Sequence, residues 1–267
     1  MKFLVTNDDG IFAPGVEALV EVLQHFGDIY VVCPDQERSA ISHSITLRQP
    51  LKATTVTLFG AGVKAWAVNG TPADCVKLGV EVLVKEKPDL VISGINIGPN
   101  LGRDVYYSGT MAAAAEASLL QIPAIAVSLD RLQTKDTSFQ MPKRLLYEVI
   151  EPLLSNRIPP GVFVNVNLPY LEKHACSGIK VVPLDLSVSR YKYVGLNDPY
   201  GQVYYWLKDH IGQLTEFEEE GDFAKLKAGY VTVTPLEGKV SQKKHVRRFE
   251  KWFSNHKLHF SKEETFS

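Results

Sequence analysis

Asp8 and Asp9 stand side by side directly after a short apolar run, in the segment FLVTNDDG. Two carboxylates held this close repel unless a cation or a shared proton relieves them. A hard divalent cation takes oxygen ligands: carboxylate, hydroxyl, amide carbonyl and water. The acid pair would supply the charge, and Ser39 and Asn96, in later loops, can supply neutral oxygens. With at most four protein ligands, positions stay open for water and substrate, as metal catalysis requires. An isolated NDDG is also a common polar turn with one Asp capping a helix. What favours a site is the company the pair keeps.

That company begins with the stretch GINIGPNLGRDVYYSGT, residues 94–110. Its glycines allow a ligand close to the backbone. Ser108-Gly109-Thr110 opens an alanine-rich helix, where free N–H groups and the helix dipole favour an anion such as phosphate. The stretch is neither a Walker A loop nor a GxGxxG fingerprint. The second partner is DQERSAISHS, residues 35–44, which carries Arg38, Ser39, Ser42 and His43. An arginine there suits phosphate oxygens and a histidine suits proton transfer, although His43 serves equally as a loop anchor. The other six histidines show no paired metal spacing. The chain has no G-x-S-x-G elbow, and its acids are adjacent where dehalogenase-type phosphatases carry Asp-x-Asp.

These segments must be positioned by strands and helices. Residues 3–6 read as a buried parallel strand, 16–25 as a helix with one apolar face, and 28–33 as a second strand. Residues 51–58 and 63–68 alternate and predict a hairpin. Thr71 is an expected N-cap with Pro72 in the first helical turn. Residues 89–93 predict a strand, 94–107 a long loop, 108–120 a helix and 123–129 a strand. Residues 141–154 read as a helix, 162–167 and 229–236 as strands, and the tail from Lys239 as a helix with a frayed end. Strand–helix alternation predicts an α/β fold with a mostly parallel sheet sandwiched by helices. Ligands of such sheets bind outside the carboxyl ends of the strands, which gathers Asp8-Asp9, Ser39 and Asn96-Asn100 on one edge.

Composition bounds the rest. The 267 residues are 45% hydrophobic and 22% charged, with a formal net charge of −1, so no global field draws the chain to duplex nucleic acid. Three cysteines, odd in number and without CxxC spacing, argue against disulfides and zinc. No signal peptide and no run long enough to span a membrane is read, so the expectation is a cytoplasmic protein without a membrane partner.

Taken together and in order, TNDDG, PDQERSAISHSIT, VNGTPADCV, VISGINIGPNLGRDVYYSGTMAAAAEA and GYVTVTPL resemble the SurE family, the survival proteins that act as metal-dependent 5′-nucleotidases. The resemblance runs from Met1 to about Leu236. It departs at EEEGDFAKLKAGY, where the family usually has Gly-Thr-Asp before GYVTVTPL. It implies a Rossmann-like core, residues 1–185, and a C-terminal part, 186–267. That part would hold an oligomerisation arm of β-hairpin and helix exchanged between subunits, a returning strand at 229–236 and a terminal helix. It implies one divalent metal ion, Mg²⁺ or Mn²⁺, per subunit, held by Asp8, Asp9, Ser39 and Asn96. Asp8 and Asp9 would be catalytic. Asn96, Asn100, Ser108, Gly109 and Thr110 would bind the substrate phosphate, with Asp104 in the same loop. Nucleoside monophosphates would be the substrates and a homodimer or homotetramer the usual assembly. The 3′-monophosphates and short polyphosphate stay open as substrates. Two other classes compete with this reading: a nucleotide-binding regulator without turnover, and a nucleotide-sugar transferase. The first needs no open metal position, and the second usually carries DxD after later strands.

Overall fold

The computed structural model describes residues 1–130, 138–171, 175–214 and 216–254. Strands β1 (Lys2–Thr6), β2 (Asp28–Pro34), β3 (Ala53–Val56), β4 (Lys64–Val68), β5 (Leu90–Ile97), β6 (Ala124–Asp130), β7 (Val162–Pro169) and β8 (Gly178–Val181) belong to one nine-stranded sheet. β9 (Tyr191–Asn197) and β10 (Val203–Asp209) form a separate antiparallel hairpin, and β11 (Tyr230–Glu237) returns to the sheet. The order is β3-β4-β2-β1-β5-β6-β7-β11-β8. Every pairing in it is parallel except β3 with β4 and β11 with β7.

The alternation of side chains sorts the strands into two cores. Phe3 and Val5, Ile29, Val31 and Cys33, and Ile125, Val127 and Leu129 face one side. There they meet α1 (Pro14–Leu23) and, after the intervening elements, α4 (Gln140–Ser155). Leu4, Val32, Ala124 and Ala126 face the other side, under α2 (Pro72–Leu78) and α3 (Gly109–Leu119). The alanines of α3 have a packing reason. Ala113, Ala114 and Ala117 are fully buried with Ala124 and Ala126 in the same cluster, and small side chains let a helix lie close to a sheet.

Chain order fixes where a ligand can sit. From β1 the chain moves to β2 on one side and later returns to β5 on the other. The crevice outside the carboxyl end of β1 is therefore the topological switch point of the sheet. Asp8 and Asp9 follow β1 by one residue.

The expected 51–68 hairpin and Thr71 cap are present, and the helices expected at 16–25 and 141–154 run over Pro14–Leu23 and Gln140–Ser155. Thr71 and Asp74 form a reciprocal capping box. Residues 94–107 are not one long loop. β5 continues to Ile97 through a bulge between Ser93 and Asn96, and Asn96 and Ile97 pair with Ser128 and Leu129. Gly94, at φ +142°, makes the bulge possible, because a Cβ there would lie 2.4 Å from the carbonyl oxygen of Val127. A 3₁₀ turn follows at Gly102–Tyr106. β8 and the short helix α5 (Asp222–Lys227) had no clear periodicity to announce them. The tail forms α6 (Lys243–Phe253); the expected frayed end beyond it lies outside the described residues. Among the described residues no helix is long and apolar enough to cross a membrane.

Candidate active site

Asp8 is buried against the start of α3. Its carboxylate accepts a 2.5 Å hydrogen bond from the Thr110 hydroxyl and further bonds from the backbone N–H groups of Thr110 and Gly109. Ser108 caps that helix, its Oγ accepting from the N–H of Met111 at 3.2 Å. Gly109 is required by the contact: a Cβ there would lie 2.8 Å from Asp8 Cβ and 3.0 Å from its Oδ2. The segments after β1 and before α3 are thus locked together, although a hundred residues separate them.

Asp9 is less enclosed and accepts from the backbone N–H of Ile97, at the end of β5. The neighbour of Ile97, Asn96, commits its amide nitrogen to the Gly98 carbonyl at 2.7 Å, which leaves the carboxamide oxygen to offer. Burial, the Asp8 charge and the Glu37 charge push the Asp9 carboxyl up to about 7. Burial also raises Asp8, against its hydrogen bonds. Among the described residues neither carboxylate has an ion-pair partner, and no group of three or more His, Cys, Asp or Glu residues gathers as a metal cluster. Two adjacent buried acids without an ion-pair partner, beside the neutral oxygens of Asn96 and Ser39, suit a hard dication better than a soft one.

Asp8, Ser39, Ala40, Asn100, Asp104 and Ser108 share a cavity of about 170 Å³ with Pro99, Tyr107, Arg190 and Tyr191. Ser39 is exposed, and its hydroxyl donates to Glu37 at 2.6 Å. Just after Ser39, Ala40 and Ser42 adopt φ +54° and +55°, unusual for residues with side chains. Ser42 fastens this loop to the 3₁₀ turn, donating from its N–H to the Tyr107 carbonyl and from its hydroxyl to that of Tyr106. Asn100 is held by β6 and β7. Its N–H donates to Asn167, its side chain bonds Ser128, and its carbonyl accepts from Asn165 and Asn167.

Asp8, Ser39, Asn100 and Ser108 share the cavity, Gly109 and Thr110 contact Asp8, and Asp9 reaches the N–H of Ile97, the residue after Asn96. The fold does not bring His43 to the site, and it brings Arg38 through the backbone, whose N–H donates to the Asp8 carbonyl at 2.7 Å. His43 pairs with Glu116 at 2.8 Å beside a different cavity, and Arg38 lies 3.5 Å from Asp35. The loop-anchor reading of His43 is the one the structure bears out. Sequence reasoning missed Asn165 and Asn167, although two asparagines alternating in the buried strand FVNVNLP are a readable signal. It also missed Arg190, a lone arginine in a polar stretch, which carries no signal before folding. Asp222, at the place of departure from the Gly-Thr-Asp pattern, is buried and accepts from the N–H groups of Gly102, Asp185 and Phe223 at 2.7, 2.9 and 2.9 Å.

A doubly wound sheet with an acid pair at its switch point and a helix N-terminus beside it is the place where proteins of the α/β class hold their ligands. Comparison with known proteins makes this specific. Residues 3–190 match the family model described as survival protein SurE, and the chain belongs to the SurE family. A protein of Pelotomaculum thermopropionicum named 5′-nucleotidase SurE is 43% identical over 262 residues, covering 97% of each chain. A Thermoanaerobacter protein of the same name is 42% identical over 252 residues, covering 94% of this chain and 98% of its own. The crystal structure of the SurE protein from Aquifex aeolicus superposes with a TM-score of 0.79 at 37% identity, covering 94% of this chain and 99% of that one.

Proposed function

We propose that this chain is a metal-dependent 5′-nucleotidase that hydrolyses nucleoside 5′-monophosphates to nucleoside and phosphate. The observation that carries the reading is the Asp8–Thr110 contact. It sets a buried carboxylate against the N-terminus of α3, the very position a phosphate would favour, and a cation held by Asp8 and Asp9 would offset the repulsion between the two anions. The names of the close relatives support the same activity.

Asp8, Asp9, Ser39 and Asn96 would hold one Mg²⁺ or Mn²⁺. The cation supplies neutralisation of the charge that builds on the phosphoryl group and a lowered pKa for the attacking water. Ser108, Gly109 and Thr110 at the helix start, with Asn100, would lie against the phosphate oxygens, while Asn96, whose amide nitrogen is committed to Gly98, would reach the phosphate through the cation its oxygen helps to hold. Asp8 is engaged by Thr110 and Gly109, so Asp9 is the carboxylate with capacity to accept a proton from the water. The same site chemistry serves 3′-monophosphates and short polyphosphate, because all present a terminal phosphoryl group.

The reading also divides the chain near residue 185 into a catalytic core and a C-terminal part that assembles subunits into a homodimer or homotetramer. The hairpin β9–β10 exposes Tyr193, Tyr204, Tyr205 and Trp206, and α6 buries none of its residues while exposing Phe249 and Trp252. Light scattering on the eluting protein tests this; a monomer at micromolar concentration refutes it.

The test of activity is phosphate release from a panel of nucleoside monophosphates by chelator-stripped protein, with Mg²⁺ or Mn²⁺ restored and Asp9→Asn beside it. Release that returns with metal and is absent from the variant supports the reading. No release with any metal, from protein shown to be folded, sinks it.

A further inference from the structure

Arg190 is 7% exposed and lies at the wall of the site cavity, immediately before β9. One terminal nitrogen of its guanidinium stands 2.9 Å from the Asp104 carboxylate, and the other 3.0 Å from that of Asp209, the last residue of β10. The first also donates to the Pro99 carbonyl at 3.4 Å. The guanidinium covers the Tyr191 ring, 4.8 Å from its centre. Its own backbone is fixed too, since the Arg190 carbonyl accepts from the N–H of His210 at 2.8 Å, just past the end of the hairpin.

Pro99 and Asp104 bracket the segment that presents Asn100. From the sheet side, Asn165 and Asn167 hold the Asn100 backbone. From the opposite side, Arg190 holds the two ends of the segment. Burial pushes the Asp104 carboxyl up to about 6, and the Arg190 charge opposes that rise. Nothing else among the described residues supplies a cation to Asp104.

We propose that Arg190 is a positioning residue: from the foot of the β9–β10 hairpin it braces the Pro99–Asp104 segment so that Asn100 meets the substrate phosphate. The inference rests on the assignment of Asn100 to the phosphate made above. The physical basis is a planar fork that spans two carboxylates at once. Nε has no hydrogen-bond partner among the described residues, so the brace works through the two terminal nitrogens. A lysine has one point charge and cannot span both.

The full-length protein, loaded with Mn²⁺, is titrated with inorganic phosphate by calorimetry, and Mn²⁺ affinity is measured separately. Arg190→Met is expected to weaken phosphate at least tenfold while Mn²⁺ affinity stays within twofold. Arg190→Lys falls between Met and the natural residue. Asn100→Ala weakens phosphate by a similar factor, and adding Arg190→Met to it costs little more, because both act on one contact. Native melting with unchanged phosphate affinity in Arg190→Met, beside a weakened Asn100→Ala, overturns the brace and leaves the phosphate assignment standing. Unchanged affinity in Asn100→Ala overturns the assignment and the brace with it. Parallel loss of Mn²⁺ and phosphate in Arg190→Met also overturns the proposal, since it marks general collapse of the site. Should Arg190→Met not fold, Asp209→Asn decides by the same criteria: it removes the outer anchor alone, and a threefold or greater loss of phosphate affinity is expected.

Discussion

Replacing Asp9 by Asn should make the metal-free protein more stable while destroying its metal site. The Asp9 carboxyl sits at about 7, against 3.8 for an unhindered aspartate, because burial and the neighbouring Asp8 disfavour its charge. The folded state therefore holds the proton over a pH range in which the unfolded chain has released it. Below about pH 4 both states are protonated and there is no penalty. As pH rises towards 7 the penalty grows by about 1.4 kcal/mol per unit, reaching about 4 kcal/mol, or roughly half that once the solvent-facing part of the carboxylate is discounted. Asn has nothing to ionise and escapes this cost. In chelator at pH 8, Asp9→Asn should then melt roughly 4–8 °C above the natural protein, and at pH 4.5 the two should nearly coincide. Adding Mn²⁺ at pH 8 should raise the melting temperature of the natural protein and leave the variant unmoved. The assay is thermal unfolding followed by circular dichroism across this pH range. A variant no more stable than the natural protein at pH 8 in chelator would refute the claim that the acid pair is held in electrostatic tension awaiting a cation.

Three further outcomes follow from contacts at the site. Gly109→Ala should lower Mn²⁺ affinity and kcat/KM at least tenfold, about 1.4 kcal/mol, because the new methyl meets Asp8 at 2.8 Å; metal titration and phosphate release check it. Asp222→Ala should cost about 3 kcal/mol in denaturant unfolding, since it strands three buried N–H groups. A loss under about 1 kcal/mol would show that water replaces the carboxylate there. Gly94→Ala should destabilise by about 3 kcal/mol or more, since it forces a side chain at φ +142° into the Val127 carbonyl; unaltered urea unfolding would contradict this.

Much of this molecule is legible in its sequence, because the information is local. Strand and helix periods mark β1, β2, β6, α1 and α4. The pair Thr71-Pro72 marks the start of α2, and Ser108-Gly109-Thr110 the start of α3. The adjacency of Asp8 and Asp9, read with the loops that carry Ser39 and Asn96, points to a cation before any coordinate is known, although NDDG alone also reads as a capped polar turn. The carboxyl-end rule then places these loops on one edge.

Tertiary structure decided what depends on partners distant in sequence. That Asp8 is answered by Thr110 across 102 positions follows from β1 lying beside β5, with α3 starting above them. That Asn96 is on a strand rather than in a loop follows from a bulge that only the pairing with β6 can register. Periodicity cannot show it, because a bulge breaks the period it would be read from. His43 and Arg38 carry the residue types of catalysis, yet folding turns them to Glu116 and Asp35. Arg190 is the reverse case: unremarkable in the chain, it is buried between Asp104 and Asp209 only once the hairpin folds back on the site loop. Sequence sets which groups can do chemistry. Which of them share a cavity is set by long-range pairing, whose energy lies in burial and in charges that meet only in the folded state.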